Sequence, residues 1–310
     1  MEMLIQLGIL AIGFVMLVKG SDWFVDGASS IATKFGIPQL VIGLTIVALG
    51  TSAPEAAVSI TAAFHGNADI TIGNIVGSNI LNILIILGIC GLISPMVVQK
   101  SSILVDIPVT IAITLVLLWL GWDGTISRVD GIILQLLFFA YLAYLFISMK
   151  KNKNSTDSCK VPKEMPVVKS LIFLVVGLVV IVLGSRFAVD AASAIARILG
   201  LSERFIGLTI VALGTSLPEL FTSALAALKK NSDIAIGNIV GSNIFNILMI
   251  VGLSGFIVPV PFVADFRFDT IVAVYAAVLL LGLALPKRKL FRLSGLLMLI
   301  SYAVYFYLIW

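Results

Sequence analysis

The sequence predicts an all-α membrane protein: ten transmembrane helices forming two inverted five-helix repeats, with broken helices at the midplane. Three observations lead there. The chain is 60% apolar and 12% charged, with a mean hydropathy of +1.16. Its apolar residues fall into about ten runs of the length a helical span needs. Two long segments repeat each other almost residue for residue.

A soluble domain runs at about 45–50% apolar and about 25% charged, so this composition leaves too little polar surface for a water-soluble fold. The predicted spans are 3–19, 40–64, 70–94, 102–121, 130–149, 168–190, 205–228, 234–258, 268–285 and 291–309. They lack the alternation of a membrane barrel. The start, Met1-Glu2-Met3, has no basic leader region, so the first run is expected to be a retained span. Cys90 falls in a span and Cys159 in a polar loop, which suits neither a disulfide nor a metal spacing. The net charge of +4 is better explained by cytoplasmic Lys and Arg than by a nucleic-acid partner. With both termini outside, fifteen Lys and Arg fall on the cytoplasmic side and five outside. That bias orients the chain in a cell membrane with extracellular termini.

Residues 42–52 read IGLTIVALGTS, as do 206–216; residues 72–80 read IGNIVGSNI, as do 236–244. The offset is 164 throughout, and about 45 of the 76 pairs from Gly20/Gly184 to Pro95/Pro259 are identical. Such duplication organises the whole fold. Five spans per repeat is an odd number, so the second copy enters from the opposite face. The expected division is 1–149 for the first repeat, 150–166 for a Lys-, Asn- and Ser-rich cytoplasmic linker, and 167–310 for the second repeat.

Glu55 and Glu219, repeat mates, are the ionisable residues expected in mid-span. An acid there costs about 2.5–3.5 kcal/mol on insertion scales and marks ion paths or proton relays; the alternative is a protonated glutamate gluing helices together. Each follows a proline, in Gly50-Thr51-Ser52-Ala53-Pro54-Glu55 and Gly214-Thr215-Ser216-Leu217-Pro218-Glu219. The proline frees the carbonyl four residues earlier, at Gly50 and Gly214. Thr51, Ser52, Thr215 and Ser216 share the carboxylate's helix face. Ser78 and Asn82, and likewise Ser242 and Asn246, lie four apart within the second motif. Carboxylate, amide, hydroxyl and carbonyl oxygens suit a hard cation. No His or thiol joins them, which argues against zinc or copper. His65 is expected at a solvated span end, Asp69 and Asp233 as helix caps, and Asp106 as an interfacial residue.

The paired G-T-S-x-P-E and G-S-N-[IL]-x-N segments resemble the two α-repeats of the Ca²⁺/cation antiporter superfamily, and within it the prokaryotic Na⁺/Ca²⁺ exchangers. The resemblance implies four cation sites around the two glutamates. Glu55, Glu219, Thr51 and Thr215 would hold Ca²⁺. Ser52, Ser78 and the Ala48 carbonyl would serve one Na⁺ site; Ser216, Ser242 and the Ala212 carbonyl its mirror; Asn82 and Asn246 would border the centre. The proline argument points instead to the carbonyls of Gly50 and Gly214, and the sequence leaves both readings open. Many relatives carry an aspartate where this chain has Asn246, and 150–166 is too short for a Ca²⁺-sensing domain. The resemblance also implies that the first and sixth spans slide over a rigid core.

The expected function is therefore antiport of Na⁺ against Ca²⁺, electrogenic at three to one, with no cofactor. The transported ions and the lipid bilayer are its partners, and a monomer is expected to suffice. H⁺/Ca²⁺ exchange, K⁺-dependent exchange and a cation channel are the alternatives. The extra hydroxyls favour Na⁺ over protons, and the repeat favours alternating access over a pore. An enzyme is not expected: the spans lack an Asp pair, a Ser/His pair or an H-E-x-x-H motif.

Overall fold

The computed structural model describes residues 2–65, 69–151, 165–200 and 212–309. Twelve helices follow in order: α1 (Glu2–Phe35), α2 (Gln39–Thr51), α3 (Ala53–Phe64), α4 (Ile70–Ile93), α5 (Ser102–Asp123), α6 (Arg128–Lys151), α7 (Val167–Ile198), α8 (Ala212–Thr215), α9 (Leu217–Leu228), α10 (Ser232–Ile257), α11 (Ala264–Ala284) and α12 (Arg292–Ile309). Eight are long and apolar enough to cross a bilayer, and the bent pair α2–α3 makes a ninth candidate among the described residues. The tenth expected span, 205–228, is described only as α8 and α9; its earlier residues, and linker residues 152–164 with Cys159, lie outside the described residues.

The first and sixth spans are longer than their apolar runs suggest. Helix α1 continues through Gly20, Ser21, Asp22 and Asp26 to Phe35, 34 residues in all. That is about 50 Å of helix, against a hydrocarbon core of about 30 Å. The polar residues stay helical because Ser21, Ser29 and Ser30 are buried against other helices rather than lipid.

Helices α1 and α7 pack with their backbones almost touching. A Cβ built on Gly20 would lie 3.0 Å from the Gly177 carbonyl oxygen, and one on Gly13 would lie 2.9 Å from that of Gly184. Contacts that climb α1 while descending α7 make the pair antiparallel, and small residues are what allow that approach. Helices α4 and α10 form the centre and are buried along most of their length, while α1, α6 and α12 turn large apolar side chains outward.

Two small two-stranded ribbons tie the loops together. β1 (Met96–Val97) pairs antiparallel with β4 (Lys289–Leu290), and β2 (Thr125–Ile126) with β3 (Val260–Pro261). Shifting by 164 turns the pair Met96–Leu290 into Val260–Ile126, which is the register observed. The flanking bonds obey the same shift: Val98 N donates to Arg288 O and Phe262 N to Gly124 O, both at 2.8 Å. The repeat thus extends in structure well beyond Pro95.

Candidate functional site

The chain breaks its helix at corresponding positions in the two halves. Ser52 leaves helical geometry at φ −81°, ψ 7°, and Ser216 at φ −87°, ψ 3°. Pro54 and Pro218 then start α3 and α9, because a proline needs no N–H donor in a helix's first turn. The first break bends the chain by 50° between α2 and α3. Each break places a glutamate in the first turn of the following helix, and both Glu55 and Glu219 are fully buried. The first-turn position also gives each carboxylate the positive end of a helix dipole.

The two halves then cross over. Ser52 Oγ donates to Glu219 Oε1 at 2.9 Å, and Ser216 Oγ donates to Glu55 Oε1 at 3.3 Å. Ser216 Oγ also lies 3.3 Å from Ser78 Oγ. Thr51 and Ser242 place their side chains beside Glu219, and Thr215 beside Glu55. Thr51 Oγ1 is 2.9 Å from Asn238 Oδ1, while Asn238 Nδ2 donates to Ser223 Oγ at 2.9 Å. In the other half, Asn74 Nδ2 donates to Ser59 Oγ at 2.9 Å and reaches the Glu55 carbonyl at 3.3 Å.

The centre is closed by four asparagines from α4 and α10. Asn82 Nδ2 donates to Asn243 Oδ1 at 2.9 Å, and Asn246 Nδ2 to Asn79 Oδ1 at 3.0 Å. Both Asn82 and Asn246 open a π-helical stretch, Asn82–Leu87 and Asn246–Val251. Such wider turns concentrate at functional positions.

At this site four buried oxygens have no partner among the described residues: Oε2 of Glu55 and Glu219, and Oδ1 of Asn82 and Asn246. They are two pairs of repeat mates. Buried acceptors are almost always satisfied, so four orphans in one cluster mark a place where something else supplies the positive charge. The ion pairs among the described residues join Lys229 to Asp22 and Asp26 and do not reach the glutamates.

The structure therefore gathers Glu55, Glu219, Thr51, Thr215, Ser52, Ser216, Ser78, Ser242, Asn82 and Asn246 around the broken helices. The Ala48 carbonyl accepts from Ser52 N at 3.0 Å and has Ser242 Oγ at 3.5 Å. Ala212 opens α8. The Gly214 carbonyl of the proline argument accepts the Ser185 hydroxyl of α7 at 2.8 Å. That freed carbonyl is satisfied by a neighbouring helix.

Three subsidiary expectations change or hold. Asp233 does not cap its helix; Asn231 does, accepting from Ile234 N at 3.2 Å, and Asp233 instead accepts from Gln99 Nε2 at 3.2 Å. Asp106 lies near the start of its span, as expected, but is covered by protein: it is 2% exposed and accepts from the Tyr141 hydroxyl at 3.2 Å. His65 is exposed at the end of α3, as expected. Asn79, Asn243, Asn74 and Asn238 were missed as site residues. They stand inside the repeated G-N-I-V-G-S-N-I motif, and their duplication was the available signal.

The family model described as sodium/calcium exchanger protein matches residues 5–147 and 169–310. The chain belongs to this family. It is 39% identical over 317 residues to CaxA of Alkalimonas amylolytica, covering 99% of each chain. It is 33% identical over 340 residues to the sodium/calcium exchanger MaX1 of Methanosarcina acetivorans, covering 96% of each. A solved structure of the sodium-calcium exchanger NCX_Mj, soaked with 2.5 mM Na⁺ and 0.1 mM Ca²⁺, superposes with a TM-score of 0.85 at 36% identity and 97% coverage of both chains. This exchanger-family chain is thus a multi-pass, all-helical membrane protein.

Proposed function

We propose that the protein is a secondary antiporter that exchanges Na⁺ for Ca²⁺ by alternating access, three Na⁺ for each Ca²⁺. The observation that carries this reading is the set of four oxygens without a partner among the described residues, two carboxylate and two amide, together with the crossed Ser52–Glu219 and Ser216–Glu55 bonds. Two carboxylates balance one Ca²⁺, and oxygen-only donors in number suit it. Glu55, Glu219, Thr51 and Thr215 are assigned to Ca²⁺. Ser52, Ser78 and Ala48 are assigned to one Na⁺ site, Ser216, Ser242 and Ala212 to its mirror, and Asn82 and Asn246 border the centre. Ions are the substrates; no cofactor and no covalent chemistry enters the proposal.

The proposed architecture is ten spans in two inverted repeats, 1–149 and 167–310, joined by a cytoplasmic linker at 150–166. The antiparallel contact of repeat mates α1 and α7, and the two ribbons that exchange under the 164 shift, support the inversion. The same reading puts the protein in the cell membrane, with both termini outside and a single chain as the working unit.

The experiment is Ca²⁺ flux into proteoliposomes under imposed Na⁺, H⁺ or K⁺ gradients. A Na⁺ gradient alone should drive uptake. Uptake driven by a pH gradient and indifferent to Na⁺ would replace this reading with H⁺/Ca²⁺ exchange.

A further inference from the structure

Asp106 is a third buried acid, and the exchange site does not use it. It lies on α5, four residues after the helix begins at Ser102, which is roughly 6 Å along the axis. Both residues are buried, Ser102 at 0% and Asp106 at 2% exposure. Tyr141 on α6, 7% exposed, donates its hydroxyl to Asp106 Oδ1 at 3.2 Å, and the Ser102 side chain lies beside the carboxylate. Among the described residues, Asp106 Oδ2 and Ser102 Oγ are buried and have no hydrogen-bond partner beyond each other. The ionisable groups around this acid are Tyr141 and, farther off, Tyr144 on α6. Among the described residues no ion pair reaches Asp106.

Ser102–Asp106 is itself a π-helical stretch. Two of the others described begin at Asn82 and Asn246, and the fourth, Gly43–Val47, leads into the Ser52 break. The stretch at Asp106 has no counterpart in the second half. The positions 164 further on are Phe266 and Thr270, and α11 is a regular α-helix there. A feature present once cannot belong to the two-fold arrangement that carries the exchange site.

We propose that Asp106, Ser102 and Tyr141 form a separate site for one monovalent cation of Na⁺ size, reached from the membrane face where α5 begins. One carboxylate balances one positive charge; a divalent ion would leave an uncompensated charge in a low-dielectric interior. The polar groups found beside the acid, the Tyr141 and Ser102 hydroxyls, are oxygen donors of the kind a hard cation requires. The inference does not depend on which ions the central site carries.

The test uses the full-length Glu55→Gln/Glu219→Gln double variant, so that the central site is disabled. Hydrogen exchange of the peptides spanning Ser102–Asp106 and Tyr141 is followed at fixed pH while NaCl replaces choline chloride at constant ionic strength. The expected result is saturable, Na⁺-dependent protection confined to these peptides. Asp106→Asn should weaken the apparent Na⁺ affinity by more than about tenfold, because the charge partner is gone. Ser102→Ala, which keeps the acid, is read in parallel and should weaken it less, so a folding defect in Asp106→Asn does not decide the outcome. Protection that follows pH and ignores Na⁺ would overturn the proposal in favour of a bound proton. So would Na⁺-dependent protection that survives both substitutions, or none in the double variant.

Discussion

Asn79 and Asn243 exchange hydrogen bonds: each side-chain amide donates to the other's backbone carbonyl at 3.1 Å. The two residues are 164 positions apart, so the bond pair lies between repeat mates. It fixes α4 against α10 at the level of the site. Asn79 Oδ1 also receives the Asn246 amide, which holds Asn246 in place. Asn79→Ala should remove that acceptor and leave a buried donor unpaired, at a cost of about 1–3 kcal/mol. A lower melting temperature with weaker Ca²⁺ affinity is expected. An unchanged Ca²⁺ half-saturation in the folded variant would show that Asn246 needs no such anchor.

The crossed serines offer a finer distinction. Ser52 donates to Glu219 and Ser216 to Glu55, so each half positions the other half's carboxylate. A hydrogen bond to a charged group contributes about 1.5–3 kcal/mol. Ser52→Ala and Ser216→Ala should therefore raise the Na⁺ concentration for half-maximal exchange by roughly tenfold or more, at about 1.4 kcal/mol per tenfold. Ca²⁺ affinity should move less, since the carboxylates remain. Equal losses for both ions would mean that the serines orient the glutamates rather than coordinate Na⁺.

Glu55→Gln and Glu219→Gln should each nearly abolish Ca²⁺ transport while the protein still inserts and folds. Both carboxylates are fully buried, each with one oxygen unpartnered among the described residues, so removing one would leave a bound divalent ion half neutralised where charges interact strongly. The check is Na⁺-driven Ca²⁺ flux with monodispersity as the folding control. Near-normal flux in either variant would remove that glutamate from the ligand set.

The contact of α1 with α7 predicts a stability defect. Gly20→Val would place a Cβ 2.9 Å from the Ile181 backbone nitrogen, and no rotamer relieves a clash with main chain. Overpacking of this kind costs about 1–3 kcal/mol or more. Thermal unfolding in detergent should show the loss. Gly8→Val on the same helix, where nothing lies within 4 Å, should be close to neutral.

Much of this was legible in the sequence because the duplication did the work of an alignment. An ionisable residue in a span is ambiguous once, but Glu55 and Glu219 with the same proline and hydroxyl neighbours are not. Spans were read well where lipid-facing residues made them uniformly apolar. The second half of α1 was not legible, because Ser21, Ser29 and Ser30 look like a loop but are buried between helices. The protein cover over Asp106 was not legible, because distance from a span's end does not reveal what packs over a residue. The partners of Asn79, Asn238 and Asn243 were out of reach because hydrogen bonds between α4, α10 and the broken helices depend on how the helices are oriented. Hydropathy carries no such information.

Stoichiometry is the property on which charge and thermodynamics meet. Expelling Ca²⁺ against about −100 mV costs about 4.6 kcal/mol, at about 2.3 per elementary charge. A concentration ratio of about ten thousand adds roughly 5.5 kcal/mol, at about 1.4 per tenfold. The sum is about 10 kcal/mol. Each Na⁺ entering down a roughly tenfold gradient supplies about 3.7 kcal/mol. Two Na⁺ fall short at about 7.4, and three suffice at about 11. Three Na⁺ against two carboxylates leave the site roughly one charge positive, whereas Ca²⁺ leaves it neutral. Asn246 would contribute an amide oxygen and no charge, in keeping with a site that needs no third carboxylate. The extra positive charge would be shared by the hydroxyl dipoles of Ser52, Ser78, Ser216 and Ser242. The α2–α3 and α8–α9 breaks bring Ser52 and Ser216, and helices α4 and α10 bring Ser78 and Ser242, to Glu55 and Glu219. Exchange should therefore move one net charge per cycle. With ion gradients held constant and a K⁺/valinomycin potential varied, the Ca²⁺ flux rate and its reversal point should shift with voltage. A reversal point that ignores voltage would point to electroneutral two-for-one exchange instead.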